Sequence, residues 1–586
     1  MECVWKFVIS LAILLSYCSC SDITGVVFGN ATTSMPAAFG DFNSDKMVDI
    51  FMIRDDRMQT LDILLAGEQD EPLMKTSNLS CTFKNHIITS VVPGDFDGDT
   101  MMDVLVTTLD RSDKSGEAKT LVHILWGGLT FIKCSDESKP LFSMKDHPLA
   151  VDANQDMITD LFGVNMHGNR TFWVFSGNRT APKEEFLEER HNQPKLRYPH
   201  SHAFLDFNGD YISDIFLTTE NGFELWLGQQ GGPFQFNESF PLPRDVQKDS
   251  IVGQSLFADV ELKNELIHIV PICYDDHCAN SSIAVNSAGQ WYNLQLNLKD
   301  SQGNSWGFVK PDGKAYTDTI TLRGGDFNLD GYPDLLATLQ TKDNTIIKTF
   351  LLENVECKGC AFSRTYSIQW GALGSANNTV MGAFFDFYQN GILDVIQVQR
   401  NAENKLHVLA FKNSLDYDAN FIKVMVLTGL PPAEAVGKIP YGTNLPGPRV
   451  SYYTVTQDGQ RRYGCAAQLQ QSAHFPLQLP FSIFGLGRTP NFVDKLVTGF
   501  AGHTRDWLLV IPNSQMVVVP SPVDQPSHWR VQLFVTPSKT ILETMIVLLG
   551  TVALNALIIG GLHLKEKRED RLEKLQEAHR FHFDAM

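Results

Sequence analysis

The segment "GDFDGDTMMDVLV", residues 94–106, places Asp95, Asp97, Asp99 and Asp103 within nine positions, directly ahead of a run of strand formers. Carboxylates this close repel one another, and each must lose water on folding. A cation among them removes the conflict. The spacing Asp-x-Asp-x-Asp-x-x-x-Asp lets positions 1, 3 and 5 point into one turn, position 7 offer its backbone carbonyl and position 9 close the cage. Oxygen ligands alone, several of them charged, favour calcium over zinc, which prefers Cys and His. An EF-hand is excluded, because its closing carboxylate falls at position 12 between helices. Here position 9 runs straight into "DVLV", a strand.

The pattern recurs. Asp41, Asn43, Asp45 and Asp49 carry it in "DFNSDKMVDIF", and Asp152, Asn154, Asp156 and Asp160 in "DANQDMITDLF". Asp206, Asn208, Asp210 and Asp214 carry it in "DFNGDYISDIF", and Asp326, Asn328, Asp330 and Asp334 in "DFNLDGYPDLL". The first four starts give a period of about 55 residues, which marks a repeat architecture. Two damaged copies fall in phase. "ADVELKNELIHIV" keeps Asp259 and Glu261 but has Lys263 at position 5 and Ile267 at position 9, so no metal is expected there. "FDFYQNGILDVIQV" keeps Asp386, Asn390 and Asp394 but puts Tyr388 in place of a ligand. Seven repeats with five intact loops predict up to five structural Ca²⁺.

The loops need strands to hold them. A second short apolar run follows each loop, as in "DILLAG", "HILWGG" and "FELWLG". Each unit reads strand, metal loop, strand, turn, strand, with room for a fourth strand. Seven such units close most economically as a β-propeller, which leaves no raw sheet edges. The early segment "DITGVVFG", Asp22 to Gly29, is expected to complete the last blade as a strand.

These repeats resemble the FG-GAP repeats of integrin α-subunit propellers, although the "GAP" after the second strand is mostly replaced, as in "DVLVTTL" and "DIFLTTE". The resemblance implies that calcium braces each blade and that protein ligands bind on other loops.

The chain has 586 residues and a formal charge of −19, which argues against nucleic acid as a partner. The five intact loops hold much of that acidity. Residues 1–20 read as a signal peptide, with Lys6 ahead of an apolar core and small residues after it. Thr544 to Leu564 contains no charge and is long enough to span a bilayer; Lys565, Lys567, Arg568 and Arg571 follow, which places residues 565–586 in the cytoplasm. The layout is a type I, single-pass plasma-membrane protein with an extracellular ectodomain. Seven sequons agree with that side: Asn30, Asn78, Asn169, Asn178, Asn237, Asn280 and Asn377. In an oxidising compartment the expected disulfides are Cys273 with Cys278, Cys357 with Cys360, and Cys81 with Cys134, leaving Cys465 odd.

The predicted fold is all-β: a seven-bladed FG-GAP propeller over residues 21–426, then a linker and a small membrane-proximal β-sandwich over 427–540, and the transmembrane helix. The sandwich is expected to hold the propeller off the membrane; its stretch "PFSIFGLGRTPNFVDKLVTGF" is similar to the module that follows FG-GAP-type propellers in the ASPIC/UnbV group.

The whole layout, with "GPRVSYYTV", "FGLGRTPNF" and a tail closing in "EAHRFHFDAM", resembles the T-cell immunomodulatory protein (LINKIN) family. That resemblance implies adhesion, tissue integrity and modulation of T cells, with RuvB-like ATPases and tubulin as cytosolic partners of the tail. The extracellular protein ligand is not legible. A shed soluble immunomodulatory ligand is the alternative. An extracellular hydrolase is disfavoured, and no catalytic residues are predicted. The sixteen His are scattered along the sequence, and no nucleophile elbow or carboxylate pair outside the metal loops is evident.

Overall fold

The computed structural model describes residues 20–583, apart from 55–56, 68–70, 111–118, 344, 374–375, 415–418, 430–440, 457–458, 489–490 and 536–538. The expected signal peptide therefore lies outside the described residues but for Cys20, and Met586 lies outside them too.

Each acidic loop joins the first two strands of an antiparallel sheet. In the first repeat, Ser34–Gly40, Asp49–Arg54, Thr60–Ala66 and Met74–Thr82 pair in sequence order. In the fourth, Ala203–Leu205, Asp214–Thr219, Gly222–Gln229 and Gly232–Pro241 do the same. The second strand of each is buried on both faces, which is why "DIFLTT" reads as a continuous apolar run rather than an alternation. The outermost strand is largely exposed. The second and third repeats share one sheet, because Phe142–Val151 pairs with Lys119–Gly128.

The seventh repeat supplies Thr379–Phe385, Asp394–Arg400 and Leu406–Lys412, and takes Ser21–Asp22 as its fourth strand. The expected strand from Asp22 to Gly29 is thus mostly wrong. Asp22 accepts the Thr24 backbone N–H at 2.9 Å and turns the chain. Thr24–Phe28 is then helical and buries Val27 and Phe28.

After the repeats come two four-stranded sheets. One orders Ser482–Gly487, Asn420–Val426, Ser514–Val519 and Arg530–Val535; the other orders Arg461–Ala467, Arg449–Val455, Val493–Phe500 and His503–Val510. Val424, Tyr452, Phe484, Leu496 and Val518 form their shared core. Asn420–Val426 was expected in the repeats. It belongs here instead, because it pairs in parallel with Ser514–Val519.

This β region packs on the face of the repeats that carries the acidic loops, and its segment from Gln468 to Gln478 runs among their innermost strands. Gln470 donates to the Phe257 carbonyl, Gln471 to Ser255, Ser472 to Pro148, and Gln254 donates to Ala473. Arg323 donates to the Phe475 carbonyl at 2.7 Å. The backbone adapts to this course: Leu469, His474, Phe475 and Leu477 are all left-handed.

Residues 535–586 form a separate unit. Its helix, Lys539–Phe583, is 45 residues long. At about 1.5 Å per residue that is roughly twice the thickness of a bilayer core. The apolar part is a candidate single membrane span. The helix continues beyond Leu564 through the charged segment to Phe583.

Candidate metal sites

All seven acidic loops share one backbone. Positions 4 and 6 are left-handed in every copy, from Ser44 and Lys46 in the first loop to Gln389 and Gly391 in the seventh. The position-1 carboxylate enforces this by accepting backbone N–H groups across the turn. Asp41 accepts from Asp45 at 2.9 Å and Lys46 at 2.8 Å, and Asp326 from Asp330 at 3.1 Å and Gly331 at 2.8 Å. The damaged loops do likewise: Asp259 accepts from Lys263 and Asn264, and Asp386 from Asn390 and Gly391.

Position 9 has a second task that the spacing alone did not reveal. Asp214 accepts the Phe207 N–H at 3.0 Å with one oxygen and the Gly228 N–H, from the third strand, at 2.9 Å with the other. Asp49, Asp103, Asp160 and Asp334 bridge in the same way, to Ala66, Gly127, Phe175 and Asn354 respectively. This carboxylate therefore clips the loop to its sheet. In the fifth loop Ile267 replaces it, and the Val260 N–H turns to the Ala258 carbonyl.

The donor sets suit a hard cation, being oxygen only. One oxygen each from Asp95, Asp97 and Asp99 lies within 4.8 Å of the others. Asn43, Asn154, Asn208 and Asn328 instead turn their amide nitrogens onto Asp45, Asp156, Asp210 and Asp330, at 2.8–3.3 Å. Burial, with repulsion from neighbouring carboxylates, pushes Asp95, Asp152, Asp214 and Asp326 up to about 7 and Asp160 up to about 8.

Protein cations meet several loops. Arg179 spans Asp97 and Asp99 at 2.6 and 3.3 Å. Arg449, from the C-terminal sheets, lies 3.4 Å from Asp206. Lys423 lies 3.0 Å from Asp386 and 2.8 Å from Gln389 Oε1, with its side chain only 1% exposed. Gly485 donates its N–H to Asp326 at 2.9 Å; a Cβ there would fall 2.1 Å from that oxygen. Lys263, by contrast, turns outward to Glu261.

A second cluster corrects the expectation of scattered histidines. A register shift between Lys145 and Leu149 bulges the inner strand of the third repeat and re-aims Asp146 and His147. His200 and His202 approach from the fourth repeat, Asp318 from the sixth and His474 from the inserted segment. Asp146 and Asp318 are thus a carboxylate pair outside the acidic loops, brought together around one imidazole. Burial disfavours a charged His474, yet these two carboxylates outweigh it and hold its pKa at about 10. Burial lowers His147 to about 3.

Cys81 and Cys134, Cys273 and Cys278, and Cys357 and Cys360 form the expected disulfides. Cys465 keeps a buried thiol beside Asp259, and burial raises its pKa. All seven sequon asparagines are exposed, although Asn78 and Asn237 sit within outer strands rather than between strands.

The class is therefore an all-β protein of acidic-loop repeats, with a C-terminal pair of sheets and a long apolar helix. Residues 440–534 match the family model described as "ITFG1, C2 domain". The human "T-cell immunomodulatory protein" is 37% identical over 96% of this chain and 94% of its own length. "Protein linkin" of Caenorhabditis elegans is 29% identical over 94% of this chain and 95% of its own. The chain belongs to the T-cell immunomodulatory protein family. Among solved structures, AofleA from Arthrobotrys oligospora is only loosely similar, with TM-score 0.30 and 13% identity over 60% of this chain and 90% of that one, and the likeness carries no argument.

Proposed function

We propose that the chain is a type I plasma-membrane glycoprotein acting in cell adhesion, tissue integrity and modulation of T-cell function. Its extracellular part would be a seven-bladed FG-GAP propeller braced by up to five structural Ca²⁺, with the C2-type sheets seated on the loop face. The observation that carries this reading is the near full-length match to the human T-cell immunomodulatory protein. Pairing of Ser21–Asp22 with the seventh repeat supports radial closure. Exposed sequons and three disulfides support an extracellular setting. The protein is proposed not to be an enzyme. The tail is proposed to meet cytosolic partners, RuvB-like ATPases and tubulin, with no nucleic acid bound.

Surface labelling of intact cells is expected to recover the full-length chain. Cells lacking it should separate more readily under shear and should alter the response of co-cultured T cells. Unchanged cohesion and T-cell response would overturn the reading. Recovery mainly as a soluble ectodomain would favour the shed-ligand alternative. Deleting Arg580 to Met586 should leave surface delivery intact and remove cytosolic partners.

A further inference from the structure

The cluster around His474 has a chemistry unlike the acidic loops. One ligand atom from each of Asp146, His147 and His474 lies within 4.8 Å of the others. His147 and His474 are 6% and 4% exposed, yet His147 Nδ1 and His474 Nε2 have no hydrogen-bond partner. A buried polar nitrogen left this way is costly and calls for an explanation. His474 Nε2 lies 3.4 Å from Asp146 Oδ1 without hydrogen-bond alignment. Two ligands bound tetrahedrally to zinc at about 2.0–2.1 Å sit about 3.3–3.4 Å apart, so the spacing is that of a tetrahedral edge.

The surroundings support the same reading. His474 Nδ1 pairs with Asp318 Oδ2 at 2.7 Å. A carboxylate on the far nitrogen fixes the tautomer and orientation of a ligating imidazole, leaving Nε2 for the metal. His200 is excluded as a ligand. Its Nε2 faces the His147 carbonyl at 2.6 Å, and its Nδ1 accepts the His202 N–H at 3.1 Å. Two imidazoles and one carboxylate suit Zn²⁺ and are a poor set for Ca²⁺.

We propose that Asp146, His147 and His474 form a zinc site that fastens the inserted segment of the C-terminal sheets to the third repeat, with Asp318 as its positioning residue. The fourth coordination position falls to water. This site is independent of calcium in the acidic loops.

The test uses the full-length chain, purified in detergent without a polyhistidine tag. Elemental analysis should find about one zinc per chain that excess Ca²⁺ does not displace and that leaves with 1,10-phenanthroline. Cobalt substitution should give the visible absorption of tetrahedral Co²⁺. His147→Gln and His474→Gln should each cut zinc content at least tenfold, and Asp318→Asn should weaken affinity about 10–100-fold with the ligands in place. If His474→Gln fails to fold, His147→Gln decides, because it leaves the His474–Asp318 contact intact. Two results would overturn the site: wild-type chain that takes up no stoichiometric zinc after reconstitution, or zinc that persists in the His147→Gln variant. Either returns the cluster to a charged His474 held between two carboxylates. Loss of calcium dependence alone would leave the zinc result unaffected.

Discussion

Five acidic loops carry a full set of oxygen ligands and two do not, yet all seven adopt the same turn. The fifth loop keeps Asp259 across its backbone while Lys263 points outward. The seventh keeps Asp386 and places Lys423 against it. The turn is therefore built by the position-1 carboxylate and left-handed residues at positions 4 and 6, before any cation is considered. Where ligands are intact, the turn is left with buried, mutually repelling carboxylates, which Arg179 meets in part in the second loop and Arg449 in the fourth. Where they are lost, an ammonium sits in the loop or the charge is removed. The geometry of the turn is thus the same whether or not a loop keeps its full set of oxygen ligands.

The largest effect should separate the two kinds of loop directly. Calcium at about 100-fold over its dissociation constant contributes about 2.7 kcal/mol for each loop that binds it. Chelation should therefore lower the melting temperature markedly, and melting that ignores chelator would refute bracing. The increment should depend on pH. A folded-state pKa of about 7–8 lies above the unfolded value of about 3.9. The folded, calcium-free chain then binds more protons than the unfolded one between those values, so its stability falls as pH rises through that window. Calcium must displace those protons. Its stabilising increment should be large at about pH 7.5 and shrink towards about pH 5.5.

Lys423→Met sharpens the comparison from the damaged side. It leaves Asp386 buried without its partner, an expected loss of about 3–5 kcal/mol in chelator. Calcium should recover part of that loss in this variant while adding nothing at the seventh loop of the wild type. No recovery would mean that Tyr388 has closed the site to metal.

Within the intact loops, Asp214→Asn tests the clip. One of its two backbone partners would face an amide nitrogen, costing about 1–3 kcal/mol in denaturant melts even without calcium. Asp99→Ala is milder. Asp95 still accepts the Thr100 N–H at 2.8 Å and frames the turn. A loss of about 1 kcal/mol is expected, mostly as weaker calcium dependence. An equal loss with and without calcium would show that Asp99 is structural only.

Much of the fold was legible because Asp-x-Asn-x-Asp repeats in phase with short apolar runs. Two signals that matter at the sites were not. The bridge from position 9 to the third strand depends on Gly127, Phe175 or Gly228 arriving opposite it, and spacing within the loop carries no trace of that. The His474 cluster draws on residues separated by more than 300 positions along the chain, brought together only because Gln468 to Gln478 enters the repeats. Even so, "SAHFPLQLP" held a hint, in one histidine and two prolines between strands that otherwise alternate cleanly. Asn420–Val426 was misplaced because an apolar strand of seven residues looks the same in either sheet; only its parallel partner decides.

The smallest effect belongs to the fifth loop. Lys263 turns out of the loop: its side chain is 60% exposed and pairs with Glu261, whose own side chain is only 8% exposed. The ammonium stays solvated, and Lys263→Ala leaves Glu261 the Ser363 hydroxyl as a partner. The substitution should therefore shift stability by about 1 kcal/mol. The fifth loop lacks an oxygen ligand at position 5 as well as at position 9, and Lys263→Ala supplies neither. Calcium titration of Lys263→Ala should match wild type in stoichiometry. A gained equivalent would instead show that the ammonium was the barrier. Ile267→Asp alone should not create a site either, because Lys263 still stands where an oxygen ligand is needed at position 5. Only Lys263→Asp together with Ile267→Asp restores the spacing of the intact loops, and that double variant should gain calcium-dependent stability where each single change does not.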